Sequence, residues 1–194
     1  MKVERIAEPI VVTGATGFIG RSLVNRLLEE GYRKVRALVL PADPLPRAWL
    51  GPEPGRDRVD IVRGDVTRLG DVAAVMGDAK TVFHLAAKVG DWGHPEEHHR
   101  ITVMGTEHVL GEAARRQARV IMTSSVVVYG RQIGQKVCDE QTPMGAPLGP
   151  YSASKQAQER CGLRLEASHG LKLTVVRPTN VYGPGSIPWV HEAA

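Results

Sequence analysis

Cysteine is scarce in this chain. Cys138 and Cys161 are the two present in 194 residues, in no metal-ligand spacing and too few for a disulfide framework. A stapled secreted scaffold and a zinc site are both excluded, no metal is expected, and a reducing compartment fits. No apolar run approaches the length of a membrane span. Met1-Lys2-Val3-Glu4-Arg5 carries charge where a secretory leader needs an apolar stretch, so the expectation is a cytoplasmic protein without a membrane partner. Charge of one sign is not concentrated either. The net charge of +4 mildly favours anionic partners, but the arginines are scattered and lack interleaved aromatics, which argues against nucleic acid. Internal repeats, heptads and low-complexity tracts are absent.

What remains is an ordinary globular composition, 42% apolar and 24% charged, in a length that suits one domain and is short for two. Short β-branched runs at 10–13, 34–39, 59–63, 81–85, 120–123 and 171–176 alternate with amphipathic stretches. Ile19, Leu23 and Leu27, and then Val103, Val109, Leu110 and Ala113, recur at helical spacing. Strand and helix alternating in this way predict an α/β fold, a doubly wound parallel sheet of Rossmann type in three αβα layers. The Pro- and Gly-rich segment 41–58 reads as an irregular excursion with a short helical turn near 47–50. Segment 130–150 reads as a long loop bordering the active site, since long loops in compact domains tend to be functional.

The first strand runs into Thr13-Gly14-Ala15-Thr16-Gly17-Phe18-Ile19-Gly20, and a helical period begins at once. Gly14 permits the tight turn, Gly17 clears the approach of a pyrophosphate, and Gly20 lets the helix pack close. Free amides at the helix start then face the phosphates. No Gly-Lys-Ser or Gly-Lys-Thr follows, so a P-loop lacks its lysine. Taken alone the triplet reads equally well as a plain helix-start turn.

Tyr151 and Lys155 stand four apart, on one face of a helix. By itself such a pair is usually a surface pair. With Ser125 at the end of the fifth strand it becomes an acid-base group. Lowering a phenol pKa from about 10 by about two units takes roughly 3 kcal/mol, which a nearby ammonium supplies. Tyr151 would then exchange a proton with a substrate oxygen that Ser125 holds.

The glycine spacing resembles that of the extended short-chain dehydrogenases/reductases. Further matches follow in order: Gly64-Asp65-Val66, His84-Leu85-Ala86-Ala87, Thr123-Ser124-Ser125 to Val128-Tyr129-Gly130, Tyr151-Ser152-Ala153-Ser154-Lys155, and Arg177-Pro178-Thr179-Asn180-Val181-Tyr182-Gly183-Pro184. The resemblance implies an NAD(P)-dependent oxidoreductase or epimerase/dehydratase acting on a secondary alcohol or carbonyl, with Ser125, Tyr151 and Lys155 catalytic. It implies a cofactor site at Gly14, Thr16, Gly17, Phe18, Ile19 and Gly20, with Asp65 and Val66 at the adenine and Asp65 accepting from its amino group. Leu85, Ala86 and Ala87 would line the ribose and pyrophosphate path, Pro178 and Val181 would meet the carboxamide, and Tyr151 and Lys155 would meet the nicotinamide end. Asn180, like Ser125, would touch a small-molecule substrate. Alone, Asp65 reads as a helix-cap carboxylate and Asn180 as a turn residue. A homodimer through the 105–116 region and the Tyr151 helix is also implied.

Three features depart from that pattern. The second strand ends at Leu40-Pro41 with neither the acid for a ribose hydroxyl nor the arginine for a 2′-phosphate. The missing arginine leans the choice to NAD, with NADP as the alternative through Arg36 or Arg47. Thr102 stands where the family usually has asparagine, altering a structural hydrogen bond or water path. With the sequence ending at Ala194, the expectation is a dinucleotide-binding domain at 1–178 and the start of a truncated substrate region at 179–194, most of the family's C-terminal lobe being expected to be missing. A dinucleotide-binding module or truncated pseudoenzyme without catalysis is the competing reading. The stretch around Trp92 favours reductase and steroid-dehydrogenase relatives over sugar epimerases.

Overall fold

A computed structural model describes residues 5–44, 59–184 and 186. Six strands form one sheet: β1 Ile10–Thr13, β2 Val35–Val39, β3 Val59–Arg63, β4 Thr81–His84, β5 Arg119–Thr123 and β6 Leu173–Val176. All pairings are parallel, in the order β3-β2-β1-β4-β5-β6. The order reverses between β1 and β4, and in open parallel sheets the crevice beyond the strand ends at such a point is where ligands bind.

Alternation along the strands sorts the core into two layers. Val11 faces one layer with Leu38, Val82, Val120 and Met122, under α2 Leu69–Met76, α4 Gly105–Arg115 and α5 Pro150–His169. Ile10 and Val12 face the other with Val35, Ala37 and Val39, under α1 Phe18–Glu29 through Val24 and Leu27. The three-layer expectation is met around β1. On β6 burial only alternates between half-buried and exposed, and Val176 is 44% exposed.

Two helical segments were not evident from apolar spacing. α2 is two turns long, too short to show a period. α3 Pro95–His98 opens on a proline with Glu96 and Glu97 in its first turn, and continues through a π-helical stretch, His99–Met104, into α4. Thr102 lies within the π-helical stretch, where its hydroxyl accepts from the Lys88 amide at 3.0 Å. The threonine in place of asparagine is thus a bonded structural residue.

The buried face of α5 is polar. Ser152, Ser154, Lys155, Gln156, Gln158 and Glu159 are all buried, each costly to bury unpaired. Ser152 donates to the Val127 carbonyl at 3.0 Å, and Gln156 donates to the carbonyls of Val128 at 2.9 Å and Gly145 at 2.7 Å. These bonds fix α5 against the 3₁₀ turn Val126–Gln132 and the returning end of the 130–150 loop. That loop is irregular as expected, except that the 3₁₀ turn extends to Gln132 and α5 begins at Pro150. The helical turn expected at 47–50, and Arg47, lie outside the described residues.

Candidate active site

The glycine turn sits at the carboxyl end of β1. Gly14 has φ +66, and a Cβ there would stand 2.8 Å from the Ala86 amide nitrogen and 2.9 Å from the Leu85 carbonyl carbon, so β1 and β4 meet backbone to backbone. At Gly20 a Cβ would collide with the Gly14 carbonyl oxygen, which is the close packing of helix on turn that its sequence position suggests. Gly17 caps α1 with no side-chain hydrogen bond to the first-turn amides, and that turn holds no acid. The amide end of α1 therefore carries its partial positive charge uncapped, with Phe18 and Ile19 in the same turn. Thr16 is engaged by a residue that sequence reasoning missed: its hydroxyl donates to Asp43 Oδ2 at 2.6 Å. An acid does stand near the end of β2, four residues beyond the strand.

Around this turn the other cofactor candidates are distributed unevenly. Leu85, Ala86 and Ala87 are half-buried along the end of β4. Asp65 has one carboxylate oxygen taken by the Thr67 amide, at 2.8 Å. Val66 turns its side chain into the core against Gly105 and accepts at its carbonyl from His108 Nδ1, 2.9 Å away. Any adenine contact at this position falls to its main chain. The loop after β6 folds back over the glycine turn. Arg21 donates to the Pro184 carbonyl at 3.2 Å, and the Phe18 ring lies 3.6 Å from where a Gly183 Cβ would be. Within that loop the Pro178 carbonyl accepts from the Val126 amide at 3.1 Å, while Asn180 and Val181 are exposed.

Ser125, Tyr151 and Lys155 converge at the carboxyl end of β5. Ser125 is the N-cap of the 3₁₀ turn and accepts from the Val127 amide at 3.3 Å. Its hydroxyl lies close enough to the Tyr151 phenol to act on its pKa. Its neighbour Ser124 is buried with its hydroxyl unpartnered. Lys155 Nζ donates to the Thr123 carbonyl at 3.0 Å and to Gln158 Oε1 at 2.9 Å, and lies 6.0 Å from the Tyr151 ring centroid. The buried His98 ring tilts against Tyr151 with centroids 6.5 Å apart.

Electrostatically the site differs from the sequence expectation. Burial, with a smaller contribution from the charge of Asp91, holds the Tyr151 phenol above its ordinary pKa, although the Ser125 hydroxyl works the other way. Burial pushes the Lys155 ammonium down to about 8 against the opposing charge of Glu159. The hydrogen bonds of the ammonium run to Thr123 and Gln158, and none reaches the phenol. In this arrangement Tyr151 keeps its proton at neutral pH and is a donor.

Residues 10–192 match the NAD dependent epimerase/dehydratase family. The dTDP-glucose 4,6-dehydratase of Streptomyces antibioticus is 34% identical over 92% of this chain and 55% of its own length. Mouse 3 beta-hydroxysteroid dehydrogenase type 7 is 33% identical over 90% of this chain and 50% of its own. Among solved structures, MoeE5 in complex with UDP-glucuronic acid and NAD superposes with a TM-score of 0.78 at 33% identity, covering 95% of this chain and 58% of that one. The chain spans about half the length of the curated relatives it matches. Reductase, dehydratase and steroid-dehydrogenase relatives all match the chain at similar identity. Among the described residues no helix is long and apolar enough to cross a membrane, and no cluster of side chains could hold a metal ion.

Proposed function

The chain belongs to the NAD dependent epimerase/dehydratase family, and from that premise we propose that it is the NAD-binding portion of an enzyme that interconverts a secondary alcohol and a carbonyl through Ser125, Tyr151 and Lys155. Residues 1–178 form its dinucleotide-binding domain, and residue 179 opens the substrate-binding region. The observation that carries the reading is the shared rim. The Tyr151 ring, the Lys155 ammonium and the Ser125 hydroxyl gather at the end of β5, one strand from the β4 end that Gly14 touches.

The residues fit the cofactor. The uncapped amides of α1 and the open surface of Gly17, where a Cβ would meet only the Gly14 carbonyl at 3.2 Å, suit a pyrophosphate. Asp43, held at Thr16, suits a ribose hydroxyl and disfavours a 2′-phosphate. Arg63 reaches this segment but spends one guanidinium nitrogen on the carbonyls of Leu40, Pro41 and Asp43. Bound NAD supplies the hydride donor or acceptor. Tyr151, holding its proton, delivers it to the oxygen of a carbonyl substrate and recovers it in the reverse direction, while Ser125 keeps that oxygen in place. Lys155 opposes the negative charge that develops on the phenol. Asn180 and Val181, exposed beside this edge, are available to substrate and carboxamide.

Calorimetry with NAD and turnover on a panel of secondary alcohols test the assignment. Tyr151→Phe should lose about 10²- to 10⁴-fold in kcat with NAD affinity unchanged. Full turnover by this variant would remove the phenol from the reaction. NAD binding without turnover in the unmodified protein would favour the non-catalytic dinucleotide-binding module.

A further inference from the structure

The buried face of α5 carries a polar chain that extends well away from the reacting groups. Lys155 Nζ donates to Gln158 Oε1 at 2.9 Å, and Gln158 Nε2 donates to Thr106 Oγ1 at 2.9 Å. Thr106 donates to the Thr102 carbonyl at 2.6 Å. His84 bridges Thr106 Oγ1 and Thr13 Oγ1, each 2.8 Å away. Thr13 Oγ1 also accepts from the amides of Leu85 and Ala86, both at 3.2 Å. Thr13, His84, Thr106 and Gln158 have no exposed surface.

Every bond in this chain has one possible direction. Thr106 has a single proton and gives it to Thr102, so it accepts from both Gln158 and His84. His84 therefore carries its proton on Nε2, and its Nδ1 accepts the proton of Thr13. Burial, with the Lys155 charge as a second cause, holds His84 neutral, its pKa pushed down to about 3. With its amide group fixed by Thr106, Gln158 can present only its carbonyl to Lys155. Glutamate at 158 would lack the N–H that Thr106 needs, and an aliphatic residue would lack the acceptor that Lys155 needs.

We propose that Gln158 is a positioning residue for Lys155: its carbonyl, locked in direction by Thr106 and His84, keeps the buried amine protonated and held at the end of β5 beside Tyr151. The other groups facing Lys155 do not replace it. Glu159, on the same helix, is bonded at both oxygens by Arg177, at 3.0 and 2.7 Å. His84 on β4 and Tyr151 on α5 are neutral, α4 offers Thr106, and β5 offers only the Thr123 carbonyl. A buried ammonium that loses one of two acceptors gives up its proton more readily. The inference rests on Lys155 being the active-site ammonium, but its test needs no turnover.

The measurement is the titration midpoint of the Lys155 side chain by carbon-13 NMR in the 194-residue chain without cofactor, with Lys155→Met identifying the signal. Gln158→Met should lower the midpoint by about one pH unit or more, and Gln158→Glu should raise it. An unchanged midpoint in Gln158→Met overturns the proposal. Should that variant fail to fold, Gln158→Glu decides, and a midpoint that does not rise overturns it equally. Shifted midpoints in a protein that turns over no alcohol would leave this inference standing and remove the catalytic reading.

Discussion

Asp43 reaches the glycine turn from four residues past β2 and meets Thr16 at 2.6 Å, where a ribose hydroxyl would find an acceptor and a 2′-phosphate a like charge. Asp43→Asn should reduce the preference for NAD over NADP by about tenfold, equivalent to roughly 1.4 kcal/mol, read by calorimetry with each dinucleotide. Lys155 makes a different prediction. Its folded pKa of about 8 lies below the ordinary 10.5, so between those values the unfolded chain holds a proton that the folded chain lacks. Stability therefore rises with pH through that window, by up to roughly 3 kcal/mol, while below it this group adds no pH dependence and its burial penalty stays constant. Urea unfolding at pH values across the window should show the rise in wild type relative to Lys155→Met. An equal pH slope in both proteins would contradict it. Burial of Cys161 raises its pKa and acts in the opposite sense, which is why the difference between the two proteins, and not the wild-type slope, is the quantity to read.

Arg177 organises the end of β6. It binds both oxygens of Glu159, donates to the Tyr129 hydroxyl at 2.9 Å and reaches the Glu140 carbonyl at 3.3 Å. Tyr129 in turn donates to the Asp139 carbonyl at 2.6 Å. Arg177→Met leaves the carboxylate of Glu159, 2% exposed, unpaired, and should cost roughly 3 to 5 kcal/mol in urea unfolding. Adding Glu159→Met should recover much of that loss, and proteolysis within 133–149 should be faster in the single variant. At this level the strands were legible, because Ile10, Val11 and Val12, or Val35 and Val39, form compact apolar runs between turns. Their ends shifted by one or two residues, as at β6, which starts at Leu173. α5 was legible only through its motif, since its buried face is built from Ser152, Gln156, Gln158 and Glu159 and carries no apolar period. The π-helical His99–Met104 stretch leaves no signal in local propensity, and Asp43 was missed because an acid was sought at the end of β2 itself. Ser125, Tyr151 and Lys155 all lie at the carboxyl end of β5, whereas the inward turn of the Val66 side chain is set by Gly105 on a helix distant in sequence and leaves no local signal.

For the molecule as a whole, parallel order divides the sheet into two unlike rims. After β1, β2, β4, β5 and β6 the chain supplies Gly14, Asp43, Ala86, Ser125 and Pro178, all on one rim. The helices return to the other, where α1 ends near Gly31 and α5 near Gly170. Both glycines have positive φ, +81 and +64, and a Cβ at either would meet nothing within 4 Å. That asymmetry is a map for grafting. A short Gly/Ser linker carrying a reporter domain, inserted beside Gly170, should leave dinucleotide affinity within about twofold, because exposed turn tips accept added chain at little entropic cost. The same insert beside Gly17 should abolish binding. A sensor could thus be wired into the back of this protein while its front stays in working order.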